Sequence, residues 1–386
     1  MKSKFYSLAL AAGMLTLTAC SDDNTNDSNN DKGNGIENGS ILKGTITEDV
    51  TLKAGNTYKL SGEYIVEAGA TLNIEEGVKI ISVYDNIVDY ILVKQGAKIN
   101  AVGTPDKPIV MTSEKEEPGA WGGIHICGKA HTNAEGGKGS SEIGGAVYGG
   151  NDDADNSGTL QYIRLEYTGF AFDEEHEANG ISFYGVGNGT IVDHCEAYKG
   201  SDDGFEFFGG SVNVSNMVVV SCSDDSFDWT EGWNGKGTNL VAYQEAESTL
   251  GYDCDCLMEC DNNGSNNAAT PVAHPVLKNL ILVGNGGSKQ GIRLRAGTEV
   301  EIDNAKVCGK GQPLTVETAL TENALKNGTS KLTNITLTSE LSSKEGIYTH
   351  ADFIAVTSNK VDANLSYSSF EDIRKECSWM NGSWVK

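Results

Sequence analysis

A ten-residue pattern occurs twice in the chain, and its repetition restricts the possible folds more than any other feature. SDDGFEFFGG occupies residues 201–210 and SDDSFDWTEG occupies residues 223–232, so the second copy begins 22 residues after the first. Looser copies include GISFYG at residue 180 and GIRLRA at residue 291. A period of about 22 to 30 residues with two or three short strands per turn is typical of a parallel β-helix, whose coils bury their apolar side chains against one another.

The composition agrees with many short strands joined by tight turns. The chain has 47 glycines and only 6 prolines, and weak helical patterns occur only near residues 317–326 and 369–376. A helical solenoid needs helical periodicity throughout, and a propeller needs about 40 residues and four strands per blade. We therefore expect an all-β fold, a single parallel β-helix solenoid over residues 44–386 with coils of about 22–30 residues and capped ends. Residues 310–386 should hold irregular last coils and a cap in which Trp379 and Trp384 shield the open end.

The aromatic half of the repeated motif predicts core packing between adjacent coils. Side chains alternate along a strand, so one set of positions points inward. Phe205 should then stack on Phe227, and Phe207 on Trp229, at a strand spacing of about 4.8 Å.

The residues between those inward positions should face outward in a column. The column is expected to contain Ser182, Glu206, Asp228, Glu259 and Arg293, with His125 from an earlier coil. Carboxylates about 5 Å apart raise one another's pKa unless a cation or hydroxyl groups separate them.

Three partners would suit this column. Calcium accepts carboxylate oxygens at about 2.3 to 2.6 Å. A glycan would find hydroxyl-binding groups here, with Tyr184, Phe208 or Trp233 as an apolar surface beside them. Two carboxylates about 5 to 5.5 Å apart also match a retaining glycosidase. Alternatively, the acids are simply solvated and keep an exposed sheet face from aggregating.

Paired aspartates precede each copy of the aromatic motif. Asp202, Asp203, Asp224 and Asp225 end the preceding turns. Aspartates in turns commonly accept hydrogen bonds from backbone amides, which would link stacked coils. Metal coordination or catalysis is the alternative role for these four side chains.

The cysteines favour structural roles over metal binding. Eight remain when Cys20 is set aside, and eight cysteines allow 105 pairings. Cys254, Cys256 and Cys260 share one parity in an extended segment, without a histidine pair or a zinc-site spacing. We expect them to be stacked inward or disulfide-bonded.

The N-terminus indicates export and lipid anchoring. Lys2 and Lys4 precede an apolar run that ends at Ala19, which predicts a signal peptide over residues 1–19 because the run is shorter than the roughly 20 residues of a membrane span. The small residues before Cys20 resemble a bacterial lipobox, and acylation of Cys20 would anchor the chain to outer-membrane lipid. Residues 20–43 are expected to form a flexible surface tether.

Charge excludes some partners. The formal net charge is −25, and removal of the signal leaves 27 basic against 54 acidic residues. Such a chain repels nucleic acid and anionic lipid headgroups, whereas cations, neutral glycans and basic proteins remain compatible.

Four motifs resemble a known family. They are GTPDKPIVMTS at 103–113, GAWGGI at 119–124, YGGNDDADNSGTLQYIRLEYTG at 148–169 and SDDGFEFFGG at 201–210. Together they resemble the right-handed, pectate-lyase-like parallel β-helix lipoproteins of the Bacteroides group. The sequence Ser21-Asp22-Asp23-Asn24 is similar to the surface-export signal of such lipoproteins. The resemblance implies a right-handed solenoid on the outer surface of the outer membrane, with the periplasmic face as the alternative location.

A wider resemblance concerns pectin-degrading enzymes. Ser201-Asp202-Asp203 is similar to the Gly-Asp-Asp of polygalacturonases, and Arg293-Leu294-Arg295 distantly resembles their Arg-Ile-Lys. The Gly-His-Gly that such enzymes carry about one coil later is missing here.

The leading functional hypothesis is a surface lipoprotein that binds extracellular carbohydrate or a related ligand. The binding residues would be Tyr184, Glu206, Phe208, Asp228, Trp233, Glu259, Arg293 and Arg295, with calcium as a possible cofactor. One alternative is a polysaccharide hydrolase or lyase that uses Glu206, Asp228 or Glu259 for acid, base or nucleophilic catalysis and Arg293 as an electrostatic aid. The other alternative is a structural or adhesive protein without a dedicated site.

Overall fold

Consecutive coils stack in the register that the repeated motif predicts. Phe205 pairs with Phe227, and Phe207 pairs with Trp229. The computed structural model describes residues 35–85, 87–172 and 176–386. Over these residues the chain forms a right-handed parallel β-helix, which confirms the predicted all-β class.

The strands of the described residues are short. In chain order they are β1 Gly35–Ile36, β2 Ile41–Ile46, β3 Val50–Leu52, β4 Thr57–Val66, β5 Thr71–Ile74, β6 Lys79–Ser82, β7 Tyr90–Val93, β8 Lys98–Val102, β9 Ile109–Ser113, β10 Ile124–Cys127, β11 Gly139–Ser140, β12 Val147–Tyr148, β13 Gly158–Glu166, β14 Ile181–Tyr184, β15 Ile191–Tyr198, β16 Phe205–Phe208, β17 Asn213–Val220, β18 Phe227–Thr230, β19 Lys236–Tyr243, β20 Met258–Asp261, β21 Val276–Val283, β22 Gln290–Arg295, β23 Glu301–Cys308, β24 Gln312–Val316, β25 Lys331–Leu337, β26 Ser342–Ser343 and β27 Lys360–Val361. All pair in parallel except β11 and β12, which form an antiparallel hairpin.

Helices are few and short. They are α1 Glu247–Leu250, α2 Ala319–Asn327, α3 His350–Ala355 and α4 Phe370–Glu376, with short 3₁₀ segments at Glu135–Gly137 and Ser378–Met380. The helical patterns near residues 317–326 and 369–376 correspond to α2 and α4. No helix within the described ranges has the length and apolar character needed to cross a bilayer.

One face of the solenoid carries the repeated aromatic motif, and we call it the front sheet. It includes β7, β10, β14, β16, β18, β20, β22, β24 and β26, paired in that order. Its inward rings stack between coils, with centroids 5.1 Å apart for Phe183 and Phe207 and 6.0 Å apart for Phe205 and Phe227. The aromatic core therefore holds consecutive front strands in register.

From β13 onwards, the other two faces are formed by strands that bend in the middle, whereas β8 and β9 are separate strands. The bends of β17, β19, β21 and β23 lie at asparagines with positive φ, a conformation that asparagine tolerates better than most residues. Asn239 donates a hydrogen bond to Asn216 at 2.8 Å and accepts one from Asn279 at 3.0 Å. This ladder of side-chain amides links the bends of successive coils.

Coil length varies more than the predicted range. Ile181 and Phe205 pair at a separation of 24 residues, whereas Met258 and Ile292 pair at 34. The pairing of Ile124 with Ile181 spans 57 residues because the chain between β10 and β13 leaves the coil and forms the β11–β12 hairpin.

Both ends of the predicted domain differ from expectation. The signal sequence, Cys20 and the tether up to residue 34 lie outside the described residues, but β1 and the start of β2 already form a coil within the segment expected to be tether. The predicted position of Trp379 and Trp384 at the open end of the solenoid is also wrong. Residues 362–386, which we call the strap, run back along the bent strands, where Trp384 packs with Val218 and Val241 and the Lys386 amide donates to Glu196 at 2.9 Å. The strap covers a lateral apolar face because the outward positions of these strands are valine and isoleucine.

Candidate functional site

The predicted outward column is present on the front sheet. Ser182 pairs with Glu206, Glu206 with Asp228, and Asp228 with Glu259. Glu259 pairs in turn with Arg293. His125 pairs with Ser182, so it belongs to the same column, although its ring is fully buried.

A second acidic column lies beside the first, on the turns that precede the front strands. The Asp225 amide donates to Asp203 Oδ1 at 2.9 Å, and the Cys256 amide donates to Asp225 Oδ1 at 2.6 Å. Asp203 and Asp225 thus form the inter-coil turn ladder that the sequence predicts. Asp202 and Asp224 occupy the preceding positions in their turns.

The two columns form the floor and wall of an acidic cleft of about 370 Å³. Its lining residues are Glu142, Glu177, Asp202, Asp203, Glu206, Asp224, Asp225, Asp228, Asp255, Glu259 and Arg293. Ten of these eleven side chains are acidic. Glu142 comes from the β11–β12 hairpin, and Glu177 comes from the segment between β13 and β14.

Basic side chains gather at one end of the acidic cleft. Arg293 contacts Glu259 at 2.9 Å and Glu317 at 3.2 Å. Arg295 pairs with Asp261 at 2.7 Å and also contacts Glu259. These ion pairs occupy both arginines, which were expected to face a ligand. Within the described residues, no lysine or arginine forms an ion pair with Glu206 or Asp228.

Burial and mutual repulsion raise the pKa values of several cleft carboxylates. Burial, followed by the charges of Glu177 and Asp224, raises the pKa of Asp202 to about 8. Burial raises the pKa of Glu142 to about 7. The pKa values of Glu206 and Asp228 also lie well above the usual range, because each is desolvated and adjacent to other acids. The cleft therefore stabilises positive charge, supplied either by protons or by a metal ion.

Two oxygen atoms at the cleft have no hydrogen-bond donor. Asn179 donates to Glu206 Oε2 at 2.6 Å and to Ser182 at 3.1 Å, which orients its amide and leaves its buried Oδ1 without a partner. The Oδ1 atom of Asp228 is likewise buried and unpaired. A buried acceptor without a donor is costly, so both atoms are suited to a cation.

The donor set fits a hard divalent cation. Carboxylate oxygens of Asp203, Glu206 and Asp228 lie within 4.8 Å of one another, as do those of Glu177, Asp202 and Asp224. Calcium prefers six to eight oxygen ligands in flexible geometry. The first triad offers such ligands, including the unpaired Oδ1 of Asp228.

The aromatic residues expected to contact a ligand are not available for it. Trp233 lies in the core, where its ring stacks on Phe207 with centroids 4.2 Å apart and its Nε1 donates to Val212 O at 3.1 Å. Tyr184 is buried beneath the β11–β12 hairpin, and Phe208 stacks on it at 4.5 Å. The prediction of an exposed aromatic surface at these three residues is therefore wrong. The turn after β18 directs Trp233 into the core. The β11–β12 hairpin covers Tyr184 and Phe208.

Inward stacking is confirmed for Cys260, whereas Cys254 and Cys256 do not belong to the main core. All eight cysteines of the described ranges are buried and none forms a disulfide there. Cys260 lies in the main core. Cys256 Sγ lies within 4.8 Å of carboxylate oxygens of Asp225 and Asp255, but its thiol pKa is raised by burial, which disfavours the thiolate that metals bind.

Sequence reasoning missed four residues of the site. Asp202 precedes Glu206 by four residues, and Asp224 precedes Asp228 by four. Asp255 precedes Glu259 by the same number, so the repeat could have revealed it. Asn179 precedes Ser182 by three residues, as Asp203 precedes Glu206, so the repeat could have revealed it too. Glu142 and Glu177 lie in segments without repeat periodicity. Only the folded chain brings them to the cleft.

The fold and the cleft together define a right-handed parallel β-helix protein with a carboxylate-lined front face. The family model described as "Pectate-lyase like beta helix domain" matches residues 44–385, so the chain belongs to this family. No curated protein and no solved structure matches it. At this coarse level the family supports a carbohydrate-related or surface role.

Proposed function

We propose that the protein binds extracellular carbohydrate through a calcium ion held in the acidic cleft. The observation that carries the proposal is the cluster of Asp203, Glu206 and Asp228, in which Asp228 Oδ1 is buried and unpaired. Burial and then mutual repulsion raise the pKa values of these acids, and a bound cation would offset both effects.

A calcium ion at this position would also contact ligand. If Asp203, Glu206 and Asp228 each supply one oxygen, they provide fewer than the six to eight ligands that calcium accepts, so water or sugar oxygens can complete the coordination. Without the ion, a face of ten acidic residues repels acidic glycans. Carbohydrate binding should therefore depend on calcium.

The proposed setting is the cell surface. The lipobox-like residues before Cys20 and the acidic segment after it support a lipid-anchored protein of the outer membrane, with the solenoid outside the cell. Whole cells are treated with protease, and the amount of intact protein that remains is then measured. Loss of the intact protein would support the cell surface, whereas its persistence would argue for the periplasmic face.

Calcium binding is tested by titrating the EDTA-treated wild type and Asp228→Asn with calcium in a calorimeter. We expect Asp228→Asn to weaken binding by about tenfold or more, because it removes a charged ligand. Asp106→Asn, which neutralises an exposed aspartate in the turn after β8, should bind calcium like the wild type. Equal affinity of all three proteins would reject the site.

Carbohydrate binding is tested on an array that includes pectins, glycosaminoglycans and mucin glycans. Binding by the wild type in calcium, and its loss in EDTA, would support the proposal. Binding to none of these glycans under either condition would overturn it.

A second candidate is a polysaccharide-cleaving enzyme. It is favoured by the pairing of Glu206 with Asp228 on adjacent coils, where raised pKa values keep one acid protonated beside another. Incubation with the same polysaccharides should then release new reducing ends or unsaturated products. Absence of both product types would exclude this candidate.

A further inference from the structure

A second cavity, which we call the side pocket, lies outside the acidic cleft and has a volume of about 380 Å³. Its walls include Tyr84, Asp85 and Ile87 from the segment after β6, Lys115 and Glu117 from the segment after β9, and Phe170 from the segment after β13.

Apolar side chains in the side pocket are unusually accessible. Tyr84 is 60% exposed and Ile87 is 59% exposed, which are the two highest values among the large hydrophobic side chains of the described ranges. Phe172, next to Phe170 with centroids 5.2 Å apart, is 44% exposed. Clustered exposure of this kind marks a binding surface, whereas single exposed residues do not.

Charged groups adjoin these apolar side chains. Lys115 Nζ lies 4.8 Å from the centroid of the Tyr84 ring and 2.9 Å from Glu117. Asp85 accepts hydrogen bonds from Ser61 Oγ at 3.0 Å and from the Ile87 amide at 3.1 Å. A pyranose ring needs this combination, because it has an apolar face of C–H groups and a rim of hydroxyls.

Backbone hydrogen bonds hold the walls of the side pocket in place. The Gly119 amide donates to Thr168 O at 2.7 Å, and the Phe170 amide donates to Trp121 O at 3.3 Å. A ligand would therefore enter a largely formed site and lose little affinity to ordering of the protein.

One short antiparallel segment separates the side pocket from the acidic cleft. The Ala178 amide donates to Phe170 O at 3.1 Å, and the Phe172 amide donates to His176 O at 2.9 Å. Phe170 lines the pocket on one side, and Glu177 lines the cleft on the other. We infer that the side pocket binds one pyranose unit of a glycan and that the adjoining part of the same glycan contacts the acidic cleft. This inference rests on the proposed function.

The test compares Tyr84→Ala, Tyr84→Phe and the wild type for binding to pectin, chondroitin sulfate and mucin glycans in calcium. Removal of the ring should weaken binding about fivefold or more, whereas Tyr84→Phe, which keeps the ring, should stay within about twofold. Ile87→Ala provides a second variant of the pocket. Leu320→Ala is the matched control, since Leu320 is 49% exposed on α2.

Calcium affinity and melting temperature should be unchanged in all four variants. Wild-type glycan affinity in both Tyr84→Ala and Ile87→Ala would reject the side pocket while leaving the proposed function standing. Loss of calcium affinity together with glycan binding would show that Tyr84 acts on the cleft structure, which also rejects the pocket. Failure of the wild type to bind any of the three glycans would overturn both proposals.

Discussion

Glu206 lies directly opposite Asp228 on the adjacent coil, with no cation from the described side chains between them. Phe205 lies opposite Phe227 in the same pair of strands. The aromatic contact stabilises the coils in the register that brings the two acids together. Core packing thus offsets the electrostatic repulsion at the surface, and this relationship leads to the first prediction.

Without calcium, the protein should become less stable as pH rises from about 4 to about 8. The pKa of Asp202 rises from 3.8 to about 8 on folding, and that of Glu142 from 4.5 to about 7. Through this window the unfolded chain has already lost protons that the folded chain retains, so the free energy of unfolding falls with pH. We expect the melting temperature in EDTA to be several degrees lower at about pH 8 than at about pH 5.

Calcium should restore the melting temperature at the higher pH, and Asp202→Asn should reduce the pH dependence in EDTA. Acids with lowered pKa, such as Asp193 at about 2, titrate below this window and leave it undisturbed. A melting temperature in EDTA that is equal or higher at about pH 8 would contradict the prediction.

Trp233→Ala should reduce stability, because the ring packs on Phe207 in the core. The expected loss is about 3 to 5 kcal/mol, as for other buried aromatic truncations. Trp233→Phe keeps a ring against Phe207 and should lose much less. Urea unfolding of the three proteins measures the difference, and a Trp233→Ala protein as stable as the wild type would place the ring outside the core.

Asn239→Ala should destabilise the chain more than Asn239→Gly. Both variants lose the side-chain hydrogen bonds to Asn216 and Asn279, at about 1 kcal/mol each. Alanine adds about 1 to 2 kcal/mol of backbone strain at φ 59, which glycine avoids. Chemical denaturation should therefore rank the wild type first, Asn239→Gly second and Asn239→Ala third. The reverse order for the two variants would show that backbone strain is not important at this bend.

Trp384→Ala should loosen the strap and expose the apolar side of the bent strands. The Trp384 ring is buried and packs edge-on against Tyr162 at 6.1 Å and against His194 at 5.2 Å. Binding of the dye ANS should increase and the melting temperature should fall, whereas Lys375→Ala, on the exposed side of α4, should change neither. Unchanged dye binding in Trp384→Ala would mean that this face does not need the strap.

The register of the front sheet was predictable because two independent signals agreed. Repetition placed Phe205 and Phe227 at equivalent positions, and strand alternation then placed Glu206 and Asp228 on the outside. The same logic would have found Asp255. Each of these predictions needed only the local repeat.

The remaining parts of the site depend on segments that do not repeat. Glu142 and Glu177 reach the cleft through a long insertion and an irregular connection, whose paths no periodic pattern describes. Trp233 follows β18 in a turn, where strand alternation no longer indicates the direction of a side chain. The predicted location of Trp384 was wrong because the apolar face that the strap covers is formed by several coils that are distant from it in sequence.

Successive side chains of β18 point alternately to the interior and to the outside, and this alternation has an evolutionary consequence. Deletion of a single residue before Phe227 would turn Asp228 towards the interior and Trp229 towards solvent, so such changes should be eliminated by selection. Duplication of a complete 22-residue winding would preserve every orientation and lengthen the charged groove by one strand spacing, about 4.8 Å. Gain or loss of whole windings is thus the least disruptive route by which related chains could come to accommodate ligands of different length.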